Sequence, residues 1–193
     1  MNSPFALLFL AIQQKIASLV DGNGKPYFNF IDQELGQMEY HNGDNRPPVL
    51  WPCVLIDIDD SDFENIGENA QTGIIKICLR IGFPPFSATS AATPAPFKNK
   101  ALNYYNLEYN LHQAIHGWSP DTVTVDDTTN PVTTADLSNI YGHMIRIKAM
   151  TEQRSDMIRV RAITYTLSMD DYSTEDTVTY VPATLNLTDE ITV

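Results

Sequence analysis

The chain has 193 residues, 43% of them hydrophobic, enough for one sizeable core and a single domain. Its 24 acidic residues outnumber 12 basic ones, and the formal charge of -12 argues against a protein whose main task is to grip nucleic acid with a basic face. Two cysteines, Cys53 and Cys78, are too few for a disulfide framework and sit in no metal or redox spacing, so free thiols in a reducing cytoplasm are expected.

Ser3 and Pro4 read as an N-cap followed by a first-turn proline, and Phe5, Leu8, Ile12, Ile16 and Leu19 then step along one face of a helix. The apolar run 5–12 has no basic flank and no cleavage site. Gln13, Gln14 and Lys15 cut it well short of the ~20 residues a membrane span needs, so no targeting or membrane role is expected. Asp21-Gly22-Asn23-Gly24 ends the helix as a turn, and short strands are expected over 27–31 and 37–40. A polar loop over 41–48 delivers the chain into a strand over 49–59. From 75 to 83 the alternation is strict: Ile75, Ile77, Leu79, Ile81 and Phe83 point one way, Lys76, Cys78 and Arg80 the other. Pairing Ile58 with Gly73 sets Ile56 against Ile75 and Val54 against Ile77, which gathers the aliphatics on one face. The opposite face then brings Trp51 to Arg80, as a cation-π contact, and Cys53 to Cys78.

Residues 84–100, rich in Pro, Ala, Ser and Thr, read as an extended connector. It leads to a segment with a clear helical period, 101–118, in which Tyr104, Leu107, Leu111, Ile115 and Trp118 share one face and Gly117 marks the end. A lone helix between two strand pairs must bury that stripe against a sheet. The polar stretch 119–139 is expected as a long excursion with one short strand around Val123. A second hairpin then joins 140–151 to 155–169 around Glu152-Gln153-Arg154, with Ile145 opposite Ala162 and Ile147 opposite Val160. That register lays Lys148 beside Arg159 and Arg146 beside Arg161, so acidic cover is needed, from 57–68 or from the tail. The expected fold is α+β: one domain over 1–170, a mostly antiparallel sheet of two long hairpins packed with two amphipathic helices, followed by an extended polar arm over 171–193.

Candidate chemistry is sparse. Asp57, Asp59, Ser61 and Glu68 match positions one, three, five and twelve of an EF-hand loop, but Asp62 stands where glycine is needed, Glu64 where an aliphatic is needed, and the flanks are strands. His112 and His116 are one helical turn apart, as in a zinc-protease helix, yet Gln113 replaces the general-base glutamate. There is neither a nucleophile elbow nor a phosphate-binding glycine loop. An ion pair of Arg154 with Asp156 would only shape a turn. No enzyme, cofactor or resident metal is expected.

The order helix, short strands, acidic-tipped hairpin, helix ending in Gly117-Trp118, long loop and second hairpin resembles the tail terminator and neck ring proteins of tailed bacteriophages. The local matches are Pro52-Cys53-Val54-Leu55-Ile56, the segment Asn110-Leu111-His112-Gln113-Ala114-Ile115-His116-Gly117-Trp118, and Arg154-Ser155-Asp156 followed by the strand 159–169. They fall within 5–170. The resemblance implies a structural virion protein at the head-to-tail junction, assembled in the host cytoplasm into a homo-oligomeric ring. Such a ring contacts other neck, portal or tail proteins and lets genomic DNA pass, which a negative lumen suits. On that reading Arg146, Lys148, Arg159 and Arg161 of one subunit meet Asp59, Asp60, Asp62 and Glu64 of the next, and reversing both sets of charge restores assembly lost by reversing one. The alternative is a calcium-dependent or other non-enzymatic binding or scaffold module built on the acidic segment 57–68.

Overall fold

Period-two alternation builds the centre of the molecule. In the structure, a computed structural model describing residues 3–39, 49–83, 89–127, 130–154 and 158–172, β3 (Gln71–Phe83) buries Ile75, Ile77, Leu79, Ile81 and Phe83 on one face. It lies between β2 (Cys53–Asn65) and β7 (Arg159–Asp171), and the five-stranded sheet is completed by β1 (Phe30–Gln33) outside β2 and β6 (Ile145–Glu152) outside β7. All pairings are antiparallel except β1 with β2. Two helices cover one face, α1 (Pro4–Ala17) through Leu8, Ile12 and Ile16, and α2 (Ala95–Ile115) through Tyr104, Leu111 and Ile115. A separate hairpin, β4 (Thr122–Asp127) with β5 (Asn130–Asp136), lies beside α1 and adds Val123 and Val125 to the same core. The fold is α+β, as its alternating strands and two amphipathic helices require.

Several expected pairings are corrected. Ile58 pairs with Ile77, Ile56 with Leu79 and Val54 with Ile81, a slip of four residues from the expected register. An even slip leaves every side chain on its face, which is why the burial pattern is nonetheless the expected one. The cause is the length of β2. Its alternation resumes after a register shift between Ile58 and Ser61 and carries Phe63 inward against Phe5, ring centroids 6.3 Å apart, so the acidic stretch is strand and only 66–70 turn the chain. Cys53 therefore opposes Gly82, and Cys78 opposes Asp57. Burial pushes the Cys53 thiol up to about 12, so it behaves as a small core hydrophobe.

The second hairpin also slides. Arg146 pairs with Tyr165 and Glu152 with Val160, with a bulge at 147 that reverses the facing of the residues before it relative to those after. Thr151, not Arg146, opposes Arg161. Other elements differ in extent: 37–39 form a 3-10 turn, not a strand, and 119–139 supply two strands rather than one. Helix α2 starts six residues early, inside the expected connector, because Pro94 and Pro96 sit where proline opens a helix and costs no hydrogen bond. Strand β7 reaches Asp171, and the arm from 173 lies outside the described residues, as does Asp156.

The other face of the sheet carries a smaller cluster of Met38, Cys53, Leu55 and Val160, packed by Phe30, Val49, Trp51 and Ile158. Gly82 sits under it. A Cβ there would meet the Trp51 ring, come 2.6 Å from the Met38 sulfur and 2.7 Å from the Cys53 sulfur. Met38 can swing aside, but the indole and a thiol on the neighbouring strand cannot, so Gly82→Ala is expected to destabilise by ~2 kcal/mol, measured by urea unfolding.

Candidate interaction surfaces

On the sheet face away from the helices, five charged side chains form one network around Arg80. Arg80 gives Nε and Nη2 to the two oxygens of Glu152, both at 2.7 Å, and reaches Glu34 at 2.6 Å and Glu39 at 2.7 Å. Arg154 joins through Glu39 at 2.8 Å and donates to the Met38 carbonyl at 2.6 Å. Strands β3 and β6, the residue after β1 and the 3-10 turn are tied together by it. Burial alone would raise the Glu39 carboxyl, but the hydrogen bonds from Arg80 and Arg154 outweigh it and hold the group below its ordinary range. Asp57, partly desolvated and next to Asp59, is shifted upward despite Arg80.

The expected basic face does not exist as one surface. Arg161 points at α2 and makes a bidentate pair with Glu108, at 2.8 and 2.7 Å, with a further bond to the Thr151 hydroxyl. Arg159 lies over the Tyr104 ring, 4.1 Å from its centroid, and near Tyr105. Among the described residues the acidic cover of Arg161 thus comes from Glu108 on α2 and not from 57–68, and the tail from 173 lies outside them. Arg146 and Lys148 remain exposed on β6, on opposite sides of the sheet because of the bulge. Asp59, Asp62 and Glu64 are exposed along β2, and the side chain of Asp60 lies outside the described residues. Glu108 and Arg80 were the residues that composition and spacing did not single out as sites; Glu108 falls one residue after Leu107 and shares the buried side of α2 with Tyr104 and Leu111.

His112 and His116 stack with centroids 4.9 Å apart. The His116 Nδ1 accepts the Arg146 backbone N–H at 3.2 Å, which places the proton of the neutral ring on Nε2 and leaves no lone pair there for a metal. His112 Nδ1 lies 3.4 Å from the Tyr165 hydroxyl. Burial, then the Arg146 and His116 charges, hold the His112 pKa below its ordinary value against the opposing pull of Glu108. The unfolded chain therefore binds the proton first, so stability present above about pH 6.5 falls as pH drops through that value toward the folded pKa. Urea midpoints compared at about pH 7 and about pH 5.5 should fall more in the parent than in His112→Gln.

Asp57, Asp59 and Ser61 lie along β2 and Glu68 lies in the turn beyond it. Alternate residues of a strand are ~7 Å apart, so these donors are spread along the chain and do not converge as an ion-binding loop requires. Among the described residues no three His, Cys, Asp or Glu side chains form a metal-sized cluster. An apolar groove of about 620 Å³ runs between α1 and β2, lined by Phe5, Phe9, Leu10, Ile56 and Ile58 with Asp57 and Asp59 beside them.

Strand edges divide into sealed and open ones. Gln13 donates to the Ile31 carbonyl on β1 at 2.9 Å, and the Gln14 carboxamide both donates to the Thr124 carbonyl at 2.6 Å and accepts its N–H at 3.1 Å, acting on β4 as a strand residue would. The glutamines that interrupt the apolar run of α1 thus cap two edges. Among the described residues strand β6 has no such cover beyond the His116 bond at Arg146. Seven of its eight residues are exposed, Ile145, Ile147 and Met150 among them. Exposed Leu102, Tyr105 and Tyr109 follow one another along α2.

No helix among the described residues is long and apolar enough to cross a membrane. No family model matches the sequence, and no curated protein matches it. Among solved structures the chain is similar to one from the virion of a native gene transfer agent particle, with a TM-score of 0.46 and 9% identity over 89% of this chain and 100% of that chain.

Proposed function

We propose that the chain is a structural, non-catalytic virion protein that assembles with copies of itself into a ring at the head-to-tail junction of a tailed phage, between portal complex and tail. The observation that carries the self-association is β6, an eight-residue outer strand with its apolar side chains in solvent while the edges of β1 and β4 are capped. Open edges of this kind pair with other chains. The sequence resemblance supplies the location. The charge of -12 fits a lumen through which DNA slides without adhering. Mass spectrometry of purified particles tests the virion assignment, and antibody-gold labelling tests the junction. Particles that lack the chain would sink the reading, and label on the capsid shell or distal tail would move it elsewhere in the virion.

A further inference from the structure

Among the described residues two outer strands are left open, and they carry opposite charge. On β6, Glu152 is held by Arg80, so the exposed charges are Arg146 and Lys148. The hairpin β4–β5 sits in a segment, 119–141, that contains Asp121, Asp126, Asp127 and Asp136 and no Lys, Arg or His. Its β4 edge is taken by Gln14, whereas among the described residues β5 pairs only with β4. On β5, Val132, Thr133 and Thr134 are exposed and Ala135 turns toward the core, so one side of the hairpin is anchored and the other presented. Strand lengths also correspond, seven residues in β5 and eight in β6.

We infer that β5 of one copy adds antiparallel to β6 of the next. This rests on the self-association proposed above and names its surfaces. The antiparallel direction brings Asp136 to the Arg146 end and Val132 to the Met150 end, matching charge with charge and apolar with apolar. The reverse direction sets Asp136 toward Glu152 and loses both matches. Backbone hydrogen bonds supply affinity that side chains alone would not, and the charges fix direction. Because the two surfaces differ, the contact is heterologous: each copy offers β5 to one neighbour and β6 to the other, and the chain of contacts closes into a ring when the rotation permits.

Disulfide trapping tests it with full-length chains carrying Cys78→Ser, which removes the half-buried thiol and leaves only the buried Cys53. One chain carries Thr134→Cys and the other Lys148→Cys, both at exposed positions. Mixed and oxidised, they should give a reducible heterodimer at least tenfold above the homodimer of either alone, and a chain with both substitutions should give a ladder. Equal homodimer yields would show like edges pairing and overturn the inference, as would the absence of any cross-link between chains whose melting matches the parent. Lys148→Glu should lower the weight-average mass in sedimentation and shift association at least tenfold; unchanged association overturns the assignment too. The outcomes separate from the virion reading. A chain found in particles but never cross-linked keeps the virion role and loses this surface, while a cross-linked chain absent from particles does the opposite.

Discussion

Arg80→Met should unfold at a urea midpoint well below the parent, with a loss of about 3 kcal/mol and, for a chain of this size, roughly 10 °C in melting temperature. The side chain is 15% exposed and bonded to three carboxylates. Methionine keeps the apolar stem but leaves Glu34, Glu39 and Glu152 facing one another with only Arg154 beside them. Removing one partner of a buried ion group costs more than the group contributes, because the remaining charges keep their desolvation penalty and lose its compensation. Glu152 is the strongest partner, through two hydrogen bonds, and it holds the Arg80 pKa above its already high ordinary value despite burial. The same substitution in a Glu152→Gln background should therefore cost less than in the parent, with the coupling read from a double-mutant cycle. An Arg80→Met variant within about 0.5 kcal/mol of the parent would mean that the network is a surface ornament.

What the sequence made legible follows the reach of each signal. Facing is local: β3 shows its buried and exposed residues within thirteen positions, and no partner strand is needed to see them. Register is not local. The first hairpin slipped by four residues because aliphatics on β2 and β3 match at several even offsets, and the choice among them depends on a bulge at 59–60 that leaves no compositional mark. The pairing of β3 with β7, which joins the two hairpins into one sheet, spans about ninety residues and has no sequence signature. The sites followed the same rule. Arg146 and Lys148 were visible as charges on a strand, but the bulge that divides them was not. Gln13 and Gln14 appeared only as breaks in an apolar run, since an edge to be capped exists only after the sheet is built.

Glu108→Ala is the second large effect expected, about 3 kcal/mol by urea unfolding. Glu108 is 9% exposed and its pair with Arg161 bridges α2 to β7. Without the carboxylate, Arg161 keeps one bond to Thr151 and a charge it cannot shed, since its pKa is raised further by Glu108 and is above the accessible range even without that help. Without the guanidinium, Glu108 loses both hydrogen bonds of the bidentate pair on the buried side of α2, so Arg161→Met should also destabilise, by the same measurement. Replacing both, Glu108→Leu with Arg161→Met, removes the two charges together and should restore most of the stability, because a well-packed apolar pair can match a buried ion pair. Recovery of less than half would mean that the pair fixes the angle of α2 on the sheet through its geometry and not through charge alone. The exposed stripe of Leu102, Tyr105 and Tyr109 would then be misplaced as well.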